Sequence, residues 1–125
     1  MKLSDTEWIV MNAVWEAGEA VSARDVLESV ESDWAYTTVK TLLSRLAEKG
    51  ILSEYKRANT NYYESLVTRD QARADALHLL VDKAFDGTFG SLLQHMVSRE
   101  KLSKRDRQRL AEMMAELDAK KRNKK

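Results

Sequence analysis

Between Tyr36 and Arg45 the chain concentrates hydroxyls and cations: Tyr36, Thr37, Thr38, Lys40, Thr41, Ser44 and Arg45. Short hydroxyl side chains can hydrogen-bond base edges or phosphates, and a threonine methyl can rest against a thymine methyl. Ammonium and guanidinium groups neutralise phosphates. Lys56 and Arg57 supply two further cations, with Asn59 and Asn61 beside them. This is the chemistry of recognising a nucleic acid.

Bond-breaking chemistry has little to work with. The chain has no cysteine, which excludes a disulfide, a thiolate metal site and a cysteine nucleophile. Its two histidines, His78 and His95, fall in separate helical stretches. The carboxylates are scattered, and there is no glycine-rich phosphate loop. We therefore expect neither an enzyme nor a metal or cofactor site.

The recognition side chains need a helix to carry them, and threonine is a mediocre helix former. The apolar positions supply that helix. Val39, Leu42, Leu43, Leu46 and Ala47 follow the i, i+3, i+4, i+7, i+8 pattern and share one arc. Thr37, Thr41 and Ser44 fall opposite that arc. Lys40 lies on one flank, with Arg45 and Thr38 on the other. Three threonines in place of alanines cost no more than ~2 kcal/mol of helix propensity, which packing of the aliphatic face offsets.

Two helices precede this one. Ser4-x-x-Glu7 reads as a capping box opening a helix over about Asp5 to Ala17, with Trp8, Met11 and Trp15 in its stripe and Gly18 as its stop. Ser22-x-x-Asp25 opens a second over about Ala23 to Glu31. Gly50 ends the third. "ILSEYKR" and "NYYESLV" then alternate as two strands around "ANT". Three helices and a two-stranded wing make a winged helix-turn-helix, whose third helix fits a DNA major groove. Tyr36 at that helix's first turn could donate to a phosphate, and the free N–H groups there favour an anion.

From Leu66 onward the pattern is helical. Thr68-x-x-Gln71 opens a stripe of Ala76, Leu77, Leu80, Val81, Ala84 and Phe85, closed by Gly87. Phe89, Leu92, Leu93, Met96 and Val97 form the next stripe. Ser103-x-x-Asp106 opens a last helix with Leu110, Met113, Met114 and Leu117. These stripes are wide for so few residues, which points to cover by a second copy of the chain. The aromatic and methionine side chains could instead line a ligand pocket, but packing is their expected use.

Charge follows the same division. Net charge is +1. The first 35 residues carry −6, residues 36–62 carry +3, and the chain from Val67 carries +5. The segment that would face phosphates is selectively basic. Charged residues make up 33% of the chain, and proline is absent, as suits a folded, helix-rich protein. No stretch approaches the ~20 apolar residues of a membrane span. The start "MKLSDTEW" lacks the apolar core of a secretory signal. The expected location is the cytoplasm.

The motifs "LSDTEWIVMNAVW", "WAYTTVKTLLSRLAEKGIL", "YYESLVTRDQA" and "FDGTFGSLLQHMV" resemble, in order and spacing, those of the penicillinase-repressor family of bacterial transcriptional regulators. This family includes repressors of β-lactamase and methicillin-resistance genes and a copper-responsive branch. The resemblance implies a mainly α fold with a small β-hairpin wing: a winged-helix DNA-binding domain (1–67) and a helical dimerisation domain (68–119); the basic run "KKRNKK" itself reads as a disordered tail (120–125). It implies a homodimer that represses transcription from a palindromic operator. Thr37, Thr38, Lys40, Thr41 and Arg45 would then be recognition-helix residues, with Lys56 and Arg57 on the phosphate backbone.

Some positions depart from the family. Ala35 stands where a capping residue is expected. The cysteine cluster of the copper-responsive branch is missing, which excludes cuprous sensing by that route. Antibiotic-responsive members are cut by a regulatory protease at an asparagine–phenylalanine bond, which aligns near His95–Met96 and is not kept here. The alternative function is a winged helix that binds another protein and no specific DNA.

Overall fold

The structure, a computed structural model, describes residues 1–31, 33–99 and 102–123. Its elements run α1 (Asp5–Ala17), β1 (Val21–Ser22), α2 (Ala23–Ser29), α3 (Tyr36–Glu48), β2 (Leu52–Arg57), β3 (Thr60–Ser65), α4 (Arg69–Ala84), α5 (Phe89–Arg99) and α6 (Lys104–Asn123).

The capping signals act as read. Ser4 and Ser22 each accept from the backbone three residues on, while Glu7 and Asp25 reach back to the cap's own N–H. Thr68 and Gln71 exchange the same pair of bonds. Gly18 and Gly50 take the left-handed conformation that ends α1 and α3. α2 is shorter than expected and stops at Ser29, with Val30 already extended.

The wing has a third strand that sequence pattern did not reveal. β1 pairs antiparallel with β3, Val21 opposite Tyr63, and the sheet order is β1-β3-β2. Two residues cannot display an alternation, so no period announces them. β2 and β3 join through Ala58 and Asn59, both at positive φ, as a tight two-residue hairpin requires.

The core is formed by Val10, Met11 and Val14 of α1, Val26 of α2, Val39, Leu42, Leu43 and Leu46 of α3, and Ile51, Leu52 and Tyr63 from the sheet region. Burial of each large aliphatic side chain contributes about 1.5–3 kcal/mol, so α3's four buried residues far outweigh its threonine cost. Glu7 is buried at α1's start, and both its oxygens accept from Lys49 Nζ at 2.8 Å. This pair ties α1 to the end of α3. Trp15 Nε1 donates to Ser65 Oγ and to the Val67 carbonyl, at 3.1 and 3.2 Å, tying α1 to the end of the sheet.

The chain divides into two compact units, Met1–Leu79 and Leu80–Lys125. The division between them falls within α4. The first turns of α4 belong with α1: Arg69 pairs with Glu16 at 2.9 Å and lies over the Trp15 ring, and the N-terminal amine meets Asp75 at 3.5 Å.

In the second unit, the end of α4, α5 and α6 leave large apolar side chains in water. Leu80, Phe89, Val97 and Met113 are exposed, as is Leu77 earlier on α4. Phe85, Leu92, Leu93, Met96 and Leu110 are half-buried. Val81, expected on a dimer face, is already 1% exposed within one copy, so it packs inside its own chain. The side chains of Met114 and Leu117, assigned to that face, lie outside the described residues. Residues 120–123, expected in a disordered tail, continue α6 to Asn123; residues 124 and 125 are outside the description.

Candidate nucleic-acid interface

α3 separates its two faces as the pattern requires. Val39, Leu43 and Leu46 are fully buried, whereas Tyr36, Thr37, Thr38, Lys40, Thr41 and Arg45 are exposed. The helix starts without help: Ala35 makes no side-chain cap and no acidic residue stands in the first turn. Thr38 N–H donates to the Ala35 carbonyl at 3.1 Å, but no side chain meets the helix's positive dipole end, a state that favours an anion.

Two hydroxyls differ from the simple picture. Thr41 Oγ1 donates to the Thr37 carbonyl at 2.9 Å, so its proton is used inside the helix. What it offers outward is a methyl group and an acceptor oxygen. Ser44, expected on the exposed face, is half-buried and turned toward the Tyr63 hydroxyl. That phenol donates to Glu54 at 3.1 Å. Burial first, then the adjacent Glu54 carboxylate, pushes its pKa above the usual tyrosine value, with Ser44 opposing in part. Tyr63 therefore stays protonated as a donor beneath the wing, and Ser44 supports the wing at α3.

The wing carries Lys56 and Arg57 next to the turn, both exposed. Arg57 lies over the Tyr62 ring at 5.8 Å, and Tyr55 stacks on Tyr62 at 6.2 Å. Between wing and recognition helix lies a cleft of about 540 Å³ lined by Ser22, Arg24, Tyr36, Lys40, Lys56, Asn59, Asn61 and Tyr62, among others. It joins two parts that the sequence displayed separately. It also adds Arg24 and Tyr62, which sequence reasoning did not select. Arg24 lies in an acidic stretch, outside the basic segment of residues 36–62. The signal that could have found it is its place two residues after a capping serine, at the start of a helix-turn-helix's first packing helix.

A larger cleft, of about 790 Å³, is lined by Ile9, Ala13, Val21, Val26 and Val30 among others and includes no residue of α3, β2 or β3. Among the described residues, no group of three or more histidine, cysteine, aspartate or glutamate side chains is placed to hold a metal. No described helix is long and apolar enough to cross a membrane.

His95 and Met96 lie within α5, where the His95 ring meets Phe85 edge-on at 5.7 Å. The bond between them is thus helical.

Comparison with known proteins supports the same reading of the chain. The methicillin resistance regulatory protein MecI of Staphylococcus aureus is 33% identical over 104 residues, covering 82% of this chain and 84% of that protein. The transcriptional regulator BlaI of Mycobacterium tuberculosis is 33% identical over 121 residues, covering 94% and 86%. The penicillinase repressor of Staphylococcus aureus is 25% identical over 122 residues, covering 96% of each. The family model described as penicillinase repressor matches residues 3–116, so the chain belongs to the penicillinase repressor family of transcriptional regulators, not to an enzyme family.

Proposed function

We propose that this protein is a sequence-specific DNA-binding repressor of transcription that acts in the cytoplasm as a homodimer on a palindromic operator. The observation that carries the reading is the division of α3. One face is locked into the core, while Thr37, Thr38, Lys40, Thr41 and Arg45 stand exposed on the other beside a basic wing. In this reading the threonines meet base edges in the major groove, and Lys40, Arg45, Lys56 and Arg57 meet phosphates along its walls. The exposed apolar residues of α4, α5 and α6 are covered by a second copy, which places two recognition helices on two half-sites.

Selection from a random-sequence duplex pool tests this directly. The expected product is a palindrome bound with strong salt dependence. On it, Lys40→Ala should weaken binding and lower the salt slope by ~0.9, the share of one phosphate. A protein that enriches no sequence and retards no duplex is instead a protein-interaction module. Control by a regulatory protease at His95–Met96 would require α5 to unwind locally, since a protease takes its substrate extended. Limited proteolysis should therefore leave that bond intact in the folded repressor.

A further inference from the structure

Three cations from three elements point at the cleft between α3 and the wing: Arg24 of α2, Lys40 of α3 and Lys56 of β2. No carboxylate lines this cleft. None of the three cations has an ion-pair partner among the described residues. Three like charges gathered without a counter-ion repel one another, which is tolerable when an anion completes the group.

Arg24 is the informative member. It is the second residue of α2, where the positive end of the helix dipole disfavours a cation. Its guanidinium lies 5.9 Å from the Tyr36 ring centroid. A planar guanidinium over an aromatic ring is held in one orientation and keeps its edge N–H groups for a partner. Tyr36 in turn opens α3 at the uncapped turn whose N–H groups lack a side-chain acceptor. A cationic cleft lined by no carboxylate and a helix start without a side-chain cap thus meet at Tyr36.

We infer that this cleft seats one backbone phosphodiester of the bound DNA strand, and that Arg24 is a phosphate-binding residue held in place by Tyr36. The inference rests on the DNA-binding reading above and adds to it a contact made from α2, outside the recognition helix and the wing. Lys40 and Lys56 close the phosphate from either side. Because a phosphodiester is common to every step, Arg24 sets the register of α3 in the groove and reads no base.

The test uses the full chain and two short duplexes, one carrying the sequence the wild-type protein selects and one scrambled. Binding is measured across a salt series for wild type, R24A and R24K. R24A should lose affinity on both duplexes alike and lower the salt slope by up to ~0.9, the most that one phosphate shared with Lys40 and Lys56 can supply, while R24K keeps the slope because it keeps the charge. Neutral methylphosphonate linkages are then placed one at a time along the selected duplex. One linkage should weaken wild type several-fold and weaken R24A by a clearly smaller factor, the remainder being the share of Lys40 and Lys56, which pairs that phosphate with Arg24. The far-ultraviolet dichroism and urea midpoint of R24A should match wild type, since the side chain is exposed. An R24A slope and affinity equal to wild type overturns the inference while the repressor reading stands. A loss confined to the selected sequence also overturns it, because Arg24 would then read bases. Wild type that shows no salt-dependent binding to either duplex removes the repressor reading and this inference together.

Discussion

Thr41 illustrates what a single side chain adds to a helical wheel. The periodicity of α3 places it opposite the aliphatic arc, and it is exposed there. The wheel is silent on the hydroxyl's direction, and that direction changes the chemistry. With its proton donated to the Thr37 carbonyl, Thr41 presents a methyl group and an oxygen that only accepts. A methyl contact with thymine is the reading that uses both its shape and its rotamer. Thr41→Val keeps that shape and should bind the selected duplex nearly as well as wild type. Thr41→Ser removes the methyl and should lose about 1 kcal/mol there, a factor of about five in affinity. Neither change should affect a scrambled duplex. Equal losses on selected and scrambled duplexes, read by fluorescence anisotropy, would remove Thr41 from base recognition. Ser44 teaches the converse: a residue placed opposite the core by periodicity is half-buried, beside a tyrosine from another element. Local pattern assigns a face, and the neighbours assign the use.

Elements were legible where their signals are local. The capping boxes at Ser4, Ser22 and Thr68, and the left-handed glycines 18 and 50, lie within a few residues of the ends they mark, so the sequence carries them outright. Features made by distant segments were not legible. β1 exists because β3 lies beside it. The Glu7–Lys49 pair links residues 42 apart, and nothing near either one names the other. That pair gives α1 and α3 a pH-dependent join. Burial alone would raise the Glu7 carboxyl. Hydrogen bonds from Lys49 and from the Ser4 backbone and hydroxyl outweigh it and hold the pKa below the ordinary value. A carboxyl depressed in the native state adds stability above its unfolded pKa, about 4.3, and loses it as pH falls through the lower native value. Glu7→Gln should therefore destabilise the protein by about 1–3 kcal/mol at neutral pH, the scale of charged hydrogen bonds. The gap to wild type should close progressively below about pH 4.3. Urea unfolding of both proteins at neutral and acid pH measures it, and a gap that does not change with pH would mean the pair adds no electrostatic stability.

At the scale of the whole molecule, the two units leave different kinds of surface unsatisfied. The first buries a complete core and leaves a hydroxylated, basic helix face exposed. The second leaves large apolar side chains in water, with Val97 67% and Met113 52% exposed. Apolar stripes on α4, α5 and α6 were plain in the sequence, yet their partner could not be, because a stripe reads alike whether its own chain or another covers it. Large apolar side chains left in water on those helices favour another chain. The same need follows from function: one recognition helix reads too few base pairs to select an operator, and a second, fixed copy multiplies affinity through effective concentration. Leu80→Lys with Val97→Lys places two charges on that exposed surface. In an isolated chain both residues already face water, so helix content and binding to a single half-site should hold. Sedimentation equilibrium should then give the mass of one chain where wild type gives two, and affinity for the full palindrome should fall by ~100-fold or more as the joint binding of two half-sites is lost. A double variant that keeps both the dimer mass and the wild-type affinity for the palindrome would place the dimer contact elsewhere on the chain.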